Sequence, residues 1–299
     1  MTNYTGRKIA IFTDAHGLYE PTLAALEDMK KRGITEIYSL GDNIGVGPDS
    51  NKVINLLERY NVQSIAGNSE YYVSLGIEPF SSYFTYAKEM SHTWTLSKLN
   101  ERQKGIISLY PHYIELMVGG KKLGLCHFAN DVRIDFICNS TWTYQDKLSK
   151  KQPGFEQFLY TNSKEQLEEI KMMINRYGED SAFVKGFISA RENPLFAKKQ
   201  IDYFDTIIQG HVHFKLYEKG NLTDFYSIRA VGMAYGNDPV DTASYVILNE
   251  KENGFDVEEI LVKYDREKMV YSVVNCTSPD KTIWKFINLT QEEYNNAKK

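Results

Sequence analysis

Near the start of the chain, three short apolar runs that each end in polar residues constrain the fold most strongly. The first, Lys8–Thr13, is β-branched and leads directly into Asp14. Two more, 34–40 and 62–66, each lead into a glycine and a polar residue, and Glu20–Arg32 between the first two has helical apolar spacing. This order predicts a βαβαβ unit with parallel strands, and ligands bind at the carboxyl ends of such strands.

The later patterns predict a second sheet. Gly119-Gly120 separates two short strand patterns, which is typical of a hairpin. We expect strands at 113–118, 121–126, 205–209, 225–231, 244–248 and 255–262, the last three in this second sheet, and one helix at Thr85–Lys104. The predicted fold is α/β, of the α+β type: a four-layer αββα sandwich of two mixed β-sheets flanked by helices.

The chain is expected to form one domain over residues 1–275. A cap-like insertion around 130–200 interrupts it, where aromatic residues and a charged helical pattern replace the strand pattern. The tail, 276–299, is expected to carry a short helix, because Thr290 and Glu293 have the spacing of a capping box.

Composition excludes several classes of protein. Hydrophobic residues make up 42% and charged residues 25%, which is ordinary for a globular chain. The net charge of −4 favours neither duplex nucleic acid nor an anionic membrane as a partner. Three cysteines without a CxxC pair argue against disulfides and thiolate zinc sites. With a polar N-terminus and no run of ~18 apolar residues, we expect a cytoplasmic protein.

Oxygen and nitrogen donors collect at the predicted strand ends, without sulfur. They are Asp14, His16, Asp42, Asn68, His127, His211 and His213. Each short motif alone is better explained as an ordinary loop, but the ordered set is hard to explain by folding needs. Carboxylate and imidazole together suit Mn²⁺, Fe or Zn²⁺, and a bridging carboxylate, for which Asp42 is the candidate, lets two ions lie ~3.5–4 Å apart.

The motifs that contain these residues carry a family resemblance. They are DAH at 14–16, GDNIGVGPDSN at 41–51, GNSE at 67–70, CHF at 126–128 and GHVH at 210–213. Together they resemble the calcineurin-like metallophosphoesterases, and the long second motif is similar to the compact bacterial and archaeal phosphodiesterase branch. The segment 230–248 also resembles that branch.

The resemblance implies a role for each donor. One metal would be held by Asp14, His16 and His213, the other by Asn68, His127 and His211, and Asp42 would bridge them. The implied activity is hydrolysis of phosphodiesters or phosphoanhydrides of nucleotides, such as ATP and diadenosine tetraphosphate, through a metal-bridging hydroxide. The expected partner is a small phosphate ester or nucleotide, and self-association of the chain is left open.

One position departs from the family pattern. Ser69 stands where many relatives have the histidine that assists the leaving group, and such assistance is worth about 10²–10⁴-fold. The candidate catalytic residues are therefore Asp42, Asn68, Ser69 and Glu70, with His92 as another possible donor. Two alternatives stay open: a serine/threonine protein phosphatase, and a non-catalytic metal-binding scaffold like the retromer subunit of this fold.

Overall fold

The computed structural model describes most of the chain outside the predicted insertion. The described residues are 6–75, 86–111, 113–127, 204–211, 213–219, 223–234, 238–279 and 281–299. The cap-like insertion predicted around 130–200 lies outside them. Among the described residues, no helix is long and apolar enough to cross a membrane.

Among the described residues, the first sheet has five strands and is built around the strand that begins at Lys8. Its strands are β1 (Lys8–Phe12), β2 (Glu36–Ser39), β3 (Gln63–Ser64), β9 (Thr242–Lys251) and β10 (Gly254–Lys263), in the order β10-β9-β1-β2-β3. β1, β2 and β3 are parallel, as the βαβαβ pattern predicts. β9 and β10 are antiparallel to their neighbours, so the sheet is mixed.

The prediction that 244–248 and 255–262 belong to the second sheet was wrong. β9 pairs with β1 along four residues, from Lys8 with Asn249 to Ile11 with Val246. Alternation identifies a strand and its buried face, but it does not identify the neighbouring strand, which is set by long-range packing.

The second sheet also has five strands in the part of the chain that the structure describes. They are β4 (Tyr113–Val118), β5 (Lys121–Cys126), β6 (Thr206–Gln209), β7 (Leu216–Glu218) and β8 (Asp224–Ser227), in the order β4-β5-β6-β8-β7. β5, β6 and β8 run parallel, whereas β4 and β7 are antiparallel edge strands. The hairpin of β4 and β5 has the predicted bounds.

The helices differ from expectation in several places, and those at Asn68–Leu75, Arg266–Asn275 and Thr282–Phe286 were not predicted. They are α1 (Tyr19–Lys31), α2 (Ser50–Arg59), α3 (Asn68–Leu75), α4 (Tyr86–Lys98), α5 (Glu101–Ile107), α6 (Arg266–Asn275), α7 (Thr282–Phe286) and α8 (Gln291–Ala297). The single helix predicted at Thr85–Lys104 is two helices, because Asn100 forms a capping box with Gln103 and starts α5. Thr290 and Glu293 form the predicted capping box of α8.

Packing on β1 shows how the layers are stacked. Ile9 and Ile11 are fully buried against Leu123 and Ile208, so the two sheets pack face to face. On the opposite face of β1, Ala10 and Phe12 belong to the cluster that contains the apolar faces of α1 and α2. The predicted α/β fold of two mixed sheets flanked by helices is confirmed.

Candidate metal centre

The candidate site lies where the parallel strands of both sheets end. Asp14 follows β1 and Asp42 follows β2, while His127 and His211 follow β5 and β6. Backbone hydrogen bonds join these loops: Asp14 N donates to the Gly41 carbonyl at 3.0 Å. The carboxyl ends of parallel strands therefore present the side chains to one another, as expected for this sheet type.

The backbone at the site is held in an unusual conformation. Positive φ angles occur at Asp14 (53°), His16 (44°), Asp42 (51°), His211 (66°) and His213 (65°). Non-glycine residues rarely adopt the left-handed region, and each such residue costs on the order of 1–3 kcal/mol unless its surroundings impose the conformation. The surrounding structure therefore imposes this backbone conformation, which sets where the side chains of the site are placed.

One cluster of ligand-type atoms contains Asp14, His16 and His213. Asp14 Oδ1 lies 3.2 Å from His213 Nε2 and 3.6 Å from His16 Nε2. The two Nε2 atoms are 3.2 Å apart. These side chains are almost completely shielded from solvent, with His213 the most exposed at 12%.

A second cluster contains Asn68, His127 and His211. Asn68 Oδ1 lies 3.0 Å from His127 Nε2 and 3.1 Å from His211 Nδ1. The two imidazole nitrogens are 3.1 Å apart. His127 Nδ1 lies 2.8 Å from the Leu40 carbonyl, which can only accept, so Nδ1 carries the proton and the Nε2 lone pair faces the cluster.

Asp42 lies between the two clusters. Its Oδ2 is 3.6 Å from His16 Nε2 in the first cluster and 3.6 Å from His127 Nε2 in the second. Its other oxygen, Oδ1, accepts a hydrogen bond of 2.7 Å from the backbone N–H of Ser69. One carboxylate oxygen therefore faces both sets of imidazole nitrogens while the other holds the carboxylate in place.

At Asp14 and His211 the electrostatics favour the protonation states that metal binding needs, whereas at His16 burial opposes protonation but Asp14 and Asp42 raise the pKa of the imidazole. Burial alone would raise the pKa of Asp14, but the neighbouring His213 holds it well below its usual value. Burial, together with the nearby His127, keeps the pKa of His211 well below its ordinary value. An ionised carboxylate and a neutral imidazole are the forms in which these groups bind metals.

The residues present fit a metal. Ligand atoms of Asp14, His16 and His213 all lie within 4.8 Å of one another, and so do those of Asp14, Asp42 and His127. Converging acceptor atoms in a buried space repel one another unless a cation or protons lie between them. The set offers carboxylate, amide and imidazole donors without thiolate, which suits Mn²⁺, Fe or Zn²⁺.

Glu70 is fully buried beside Asp42 and contacts the backbone of two site loops. Its Oε2 accepts hydrogen bonds from Asp42 N and Gly67 N, each of 2.8 Å, and its Oε1 accepts one of 2.8 Å from Asn43 N. Burial and the adjacent Asp42 raise the pKa of Glu70 to about 7. These contacts favour a positioning role over the proton-donor role suggested by the sequence.

We expect Glu70→Gln to loosen the site without unfolding the protein. The glutamine amide keeps one acceptor oxygen, but its NH₂ group then faces two buried N–H donors that have lost their acceptor. This should lower the free energy of unfolding by roughly 2–4 kcal/mol. Urea unfolding of the metal-free variant measures this loss. Glu267→Gln, a change on α6, serves as the control, and equal stability of the two variants would contradict the assignment.

The remaining catalytic candidates have different surroundings. A Cβ added to Gly45 would lie 3.0 Å from Ser69 Oγ and 3.9 Å from His16 Nδ1, so the serine side chain lies near the first cluster. His92, on α4, packs against Tyr72 with ring centroids 4.3 Å apart, and its place as a donor stays a prediction.

Two supporting residues were missed from the sequence. Asn43 accepts a hydrogen bond of 2.5 Å from Ser39 Oγ and donates one of 2.8 Å to Ser64 Oγ, which ties the ends of β2 and β3 together. The signal in the sequence that could have indicated Asn43 was its position directly after Asp42. Phe286 packs against His213, and no local sequence pattern indicates this contact.

Converging carboxylates and imidazoles at the strand ends of two mixed sheets are typical of metal-dependent hydrolases. The family model described as calcineurin-like phosphoesterase matches residues 7–215, and the chain therefore belongs to the calcineurin-like phosphoesterase family. The predicted family and the predicted enzyme class, a metal-dependent phosphoesterase, are confirmed.

Similar proteins are known from archaea and bacteria. The chain is 26% identical to the protein MJ0912 of Methanocaldococcus jannaschii over 91% of this chain and 94% of that one. The structure of PH1004 from Pyrococcus horikoshii has a TM-score of 0.58 at 13% identity and 97% coverage of both chains. A metallophosphoesterase from Sphaerobacter thermophilus has a TM-score of 0.54 at 15% identity, covering 97% of this chain and 98% of that one. These structures share the fold.

Proposed function

We propose that the protein is a dinuclear metal-dependent phosphohydrolase acting on phosphodiesters or phosphoanhydrides of nucleotides, such as ATP and diadenosine tetraphosphate. The observation that carries this proposal is the position of Asp42. Its Oδ2 lies 3.6 Å from one imidazole nitrogen of each cluster, which is the place for a carboxylate shared by two cations.

The proposal assigns the ligands by cluster. One ion would be held by Asp14, His16 and His213, the other by Asn68, His127 and His211, with Asp42 shared. When bound, two such ions supply a hydroxide nucleophile near neutral pH and neutralise charge on the phosphoryl oxygens. Mn²⁺ or Fe are the proposed ions, and Zn²⁺ also suits the donor set.

The chain's own residues orient this site. His127 donates its Nδ1–H to the Leu40 carbonyl and thereby directs Nε2 inward. Ser69 N donates a hydrogen bond to Asp42 Oδ1. Glu70 accepts hydrogen bonds from Asp42 N and Gly67 N and so holds the two backbone segments that this bond joins.

The substrate class follows from Ser69. A hydroxyl is a poor general acid near neutral pH, so substrates that leave as stable anions without proton assistance are favoured. Phosphoanhydrides and aryl esters meet this condition, whereas the serine phosphate of a phosphoprotein does not. A serine/threonine protein phosphatase is therefore the weaker alternative.

Turnover on a set of substrates tests the function. Protein stripped of metal and restored with Mn²⁺ is assayed on bis-p-nitrophenyl phosphate, diadenosine tetraphosphate, p-nitrophenyl phosphate and a phosphoserine peptide. We expect Mn²⁺-dependent turnover of the first two. Faster turnover of the peptide would favour the phosphatase alternative, and metal binding without turnover of any substrate would favour the scaffold.

Metal binding is also expected to stabilise the fold. A ligand that binds only the folded state at 100 times its dissociation constant adds about 2.7 kcal/mol to the free energy of unfolding. Urea unfolding with chelator and then with Mn²⁺ measures this difference, and K⁺ at equal ionic strength is the control. An Mn²⁺ result no different from that with K⁺ would contradict a metal centre.

We further propose a cytoplasmic location and a small phosphate ester or nucleotide as partner. The three cysteines form no CxxC pair, which suits a reducing compartment. The net charge of −4 does not favour binding to duplex nucleic acid.

A further inference from the structure

The C-terminal part of the chain reaches the candidate metal centre through one aromatic side chain. The ring of Phe286, at the end of α7, meets the ring of His213 edge to face, with centroids 5.4 Å apart and planes at 89°. This geometry is favourable for aromatic pairs. Phe286 lies beyond 7–215, the residues that the family model matches.

The backbone at Phe286 is tied to the segment that passes beside the centre. Ala234 N donates a hydrogen bond of 3.1 Å to the Phe286 carbonyl. In the same segment, Val231 N donates to the Thr13 carbonyl at 2.9 Å and Ala230 N to the His213 carbonyl at 3.4 Å. The segment 230–234 therefore connects α7 to the backbone at Thr13, next to Asp14, and at His213.

A buried apolar cluster holds α7 in this place. Ile283 and Ile287 are fully buried and share a cluster with Leu18 and Ala230, which come from loops of the centre. Arg266 on α6 donates from its Nη2 to the Ile287 carbonyl at 2.9 Å and pairs with Glu293 through its Nε at 2.6 Å. The helix cannot shift without disturbing a packed core.

His213 is the only one of the four imidazoles of the candidate centre that is not buried. Its φ is 65°, and its side chain is 12% exposed, compared with 3% for His16 and 2% for His127. An imidazole in a strained loop beside solvent loses more conformational freedom when it binds a metal ion. A rigid neighbouring side chain reduces that loss. Phe286 packs against this least protected ring.

We propose that Phe286 is a positioning residue that holds the His213 imidazole in its ligand orientation, so that the C-terminal helices control the affinity of one metal position. This inference rests on the proposed dinuclear centre. Loss of the Phe286 ring should weaken the binding of the ion held by Asp14, His16 and His213. It should leave unchanged the binding of the ion held by Asn68, His127 and His211.

The experiment compares three variants with the wild-type chain. Phe286→Leu removes the ring but keeps apolar volume, and Phe286→Tyr keeps the ring. Trp284→Leu is the matched control, because Trp284 lies in the same helix and cluster but packs against Tyr294, with centroids 5.3 Å apart. Competition with a chromophoric chelator gives the Mn²⁺ stoichiometry and both dissociation constants for each protein.

We expect Phe286→Leu to weaken one of the two Mn²⁺ sites about 10-fold, the size of effect typical when a neighbour of a metal ligand is changed. Phe286→Tyr and Trp284→Leu should keep both constants. Urea unfolding of the metal-free proteins separates a loss of folding from a loss of affinity. Should Phe286→Leu and Trp284→Leu give the same constants, the positioning role is overturned, whereas a wild-type chain that binds no Mn²⁺ would overturn the dinuclear proposal itself.

Discussion

Asp42→Asn should lower phosphodiester turnover by at least about 10³-fold and reduce the amount of metal bound, while the fold persists. The amide keeps the size of the side chain and the oxygen that accepts from Ser69 N. It removes the charge that faces both His16 Nε2 and His127 Nε2. Initial rates on bis-p-nitrophenyl phosphate and metal analysis of the purified variant measure the two effects.

Asp256→Asn is the control for this change. Asp256 lies on β10, is 61% exposed and pairs with Lys251 on the surface, so its loss should affect neither rate nor metal content. Wild-type turnover in Asp42→Asn would refute the shared-carboxylate assignment. Loss of the folded circular dichroism spectrum would instead show that the charge is needed for folding, and Asp42→Glu would then be used to test the centre.

Gly67→Ala should damage the site through the backbone. A Cβ at this position would overlap the backbone nitrogen and Oδ1 of Asp42, and neither atom is the free end of a flexible side chain. Overpacking of this kind costs roughly 1–3 kcal/mol. Displacing a carboxylate by about 1 Å lowers the rate about 10²-fold. Urea unfolding and initial rates measure the two losses.

Gly105→Ala is the matched control for the same chemical change. Gly105 lies within α5, and apart from its chain neighbours and the backbone of its own helix, no atom lies within 4 Å of the position a Cβ would take. Alanine should therefore stabilise the protein by about 0.5–1 kcal/mol, because helical glycine is unfavourable. If Gly67→Ala kept full stability and activity, as Gly105→Ala is expected to do, the close approach of Gly67 to Asp42 would not be needed for function.

The parts of the fold that local patterns could predict are those built from neighbours in sequence. β1, α1 and β2 follow one another as an apolar run, a helical pattern and a second apolar run, and the hairpin of β4 and β5 is set by Gly119-Gly120. The interruption between α4 and α5 was also readable, since Asn100 and Gln103 have capping-box spacing.

Other parts depend on contacts that local patterns do not encode. The apolar positions of α6, at Met269, Val270 and Val273, are spaced as in a helix, but its packing against the loops of the centre comes from the folded chain. The strands at 244–248 and 255–262 were assigned to the wrong sheet for the same reason.

The candidate site was predictable in its residue types but not in its geometry. Polar residues after apolar strands indicated the donors, because parallel strands end at one edge. The left-handed backbone at Asp14 and Asp42, and the clamp that Glu70 forms on Asp42 N and Gly67 N, follow from how the loops cross. No pattern within a single loop contains that information.

The pairing of β1 with β9 also bears on how the chain is made. Lys8 lies beside Asn249, which is more than two hundred positions later in the chain. One edge of β1, the central strand of the first sheet, therefore stays unpaired until β9 has been synthesised. During synthesis the first three strands emerge with β1 half unpaired, and an exposed strand edge invites pairing with other chains. A ribosome-bound chain therefore gains both the cover for this strand edge and its complete centre only when the residues from His211 to β9 have left the exit tunnel.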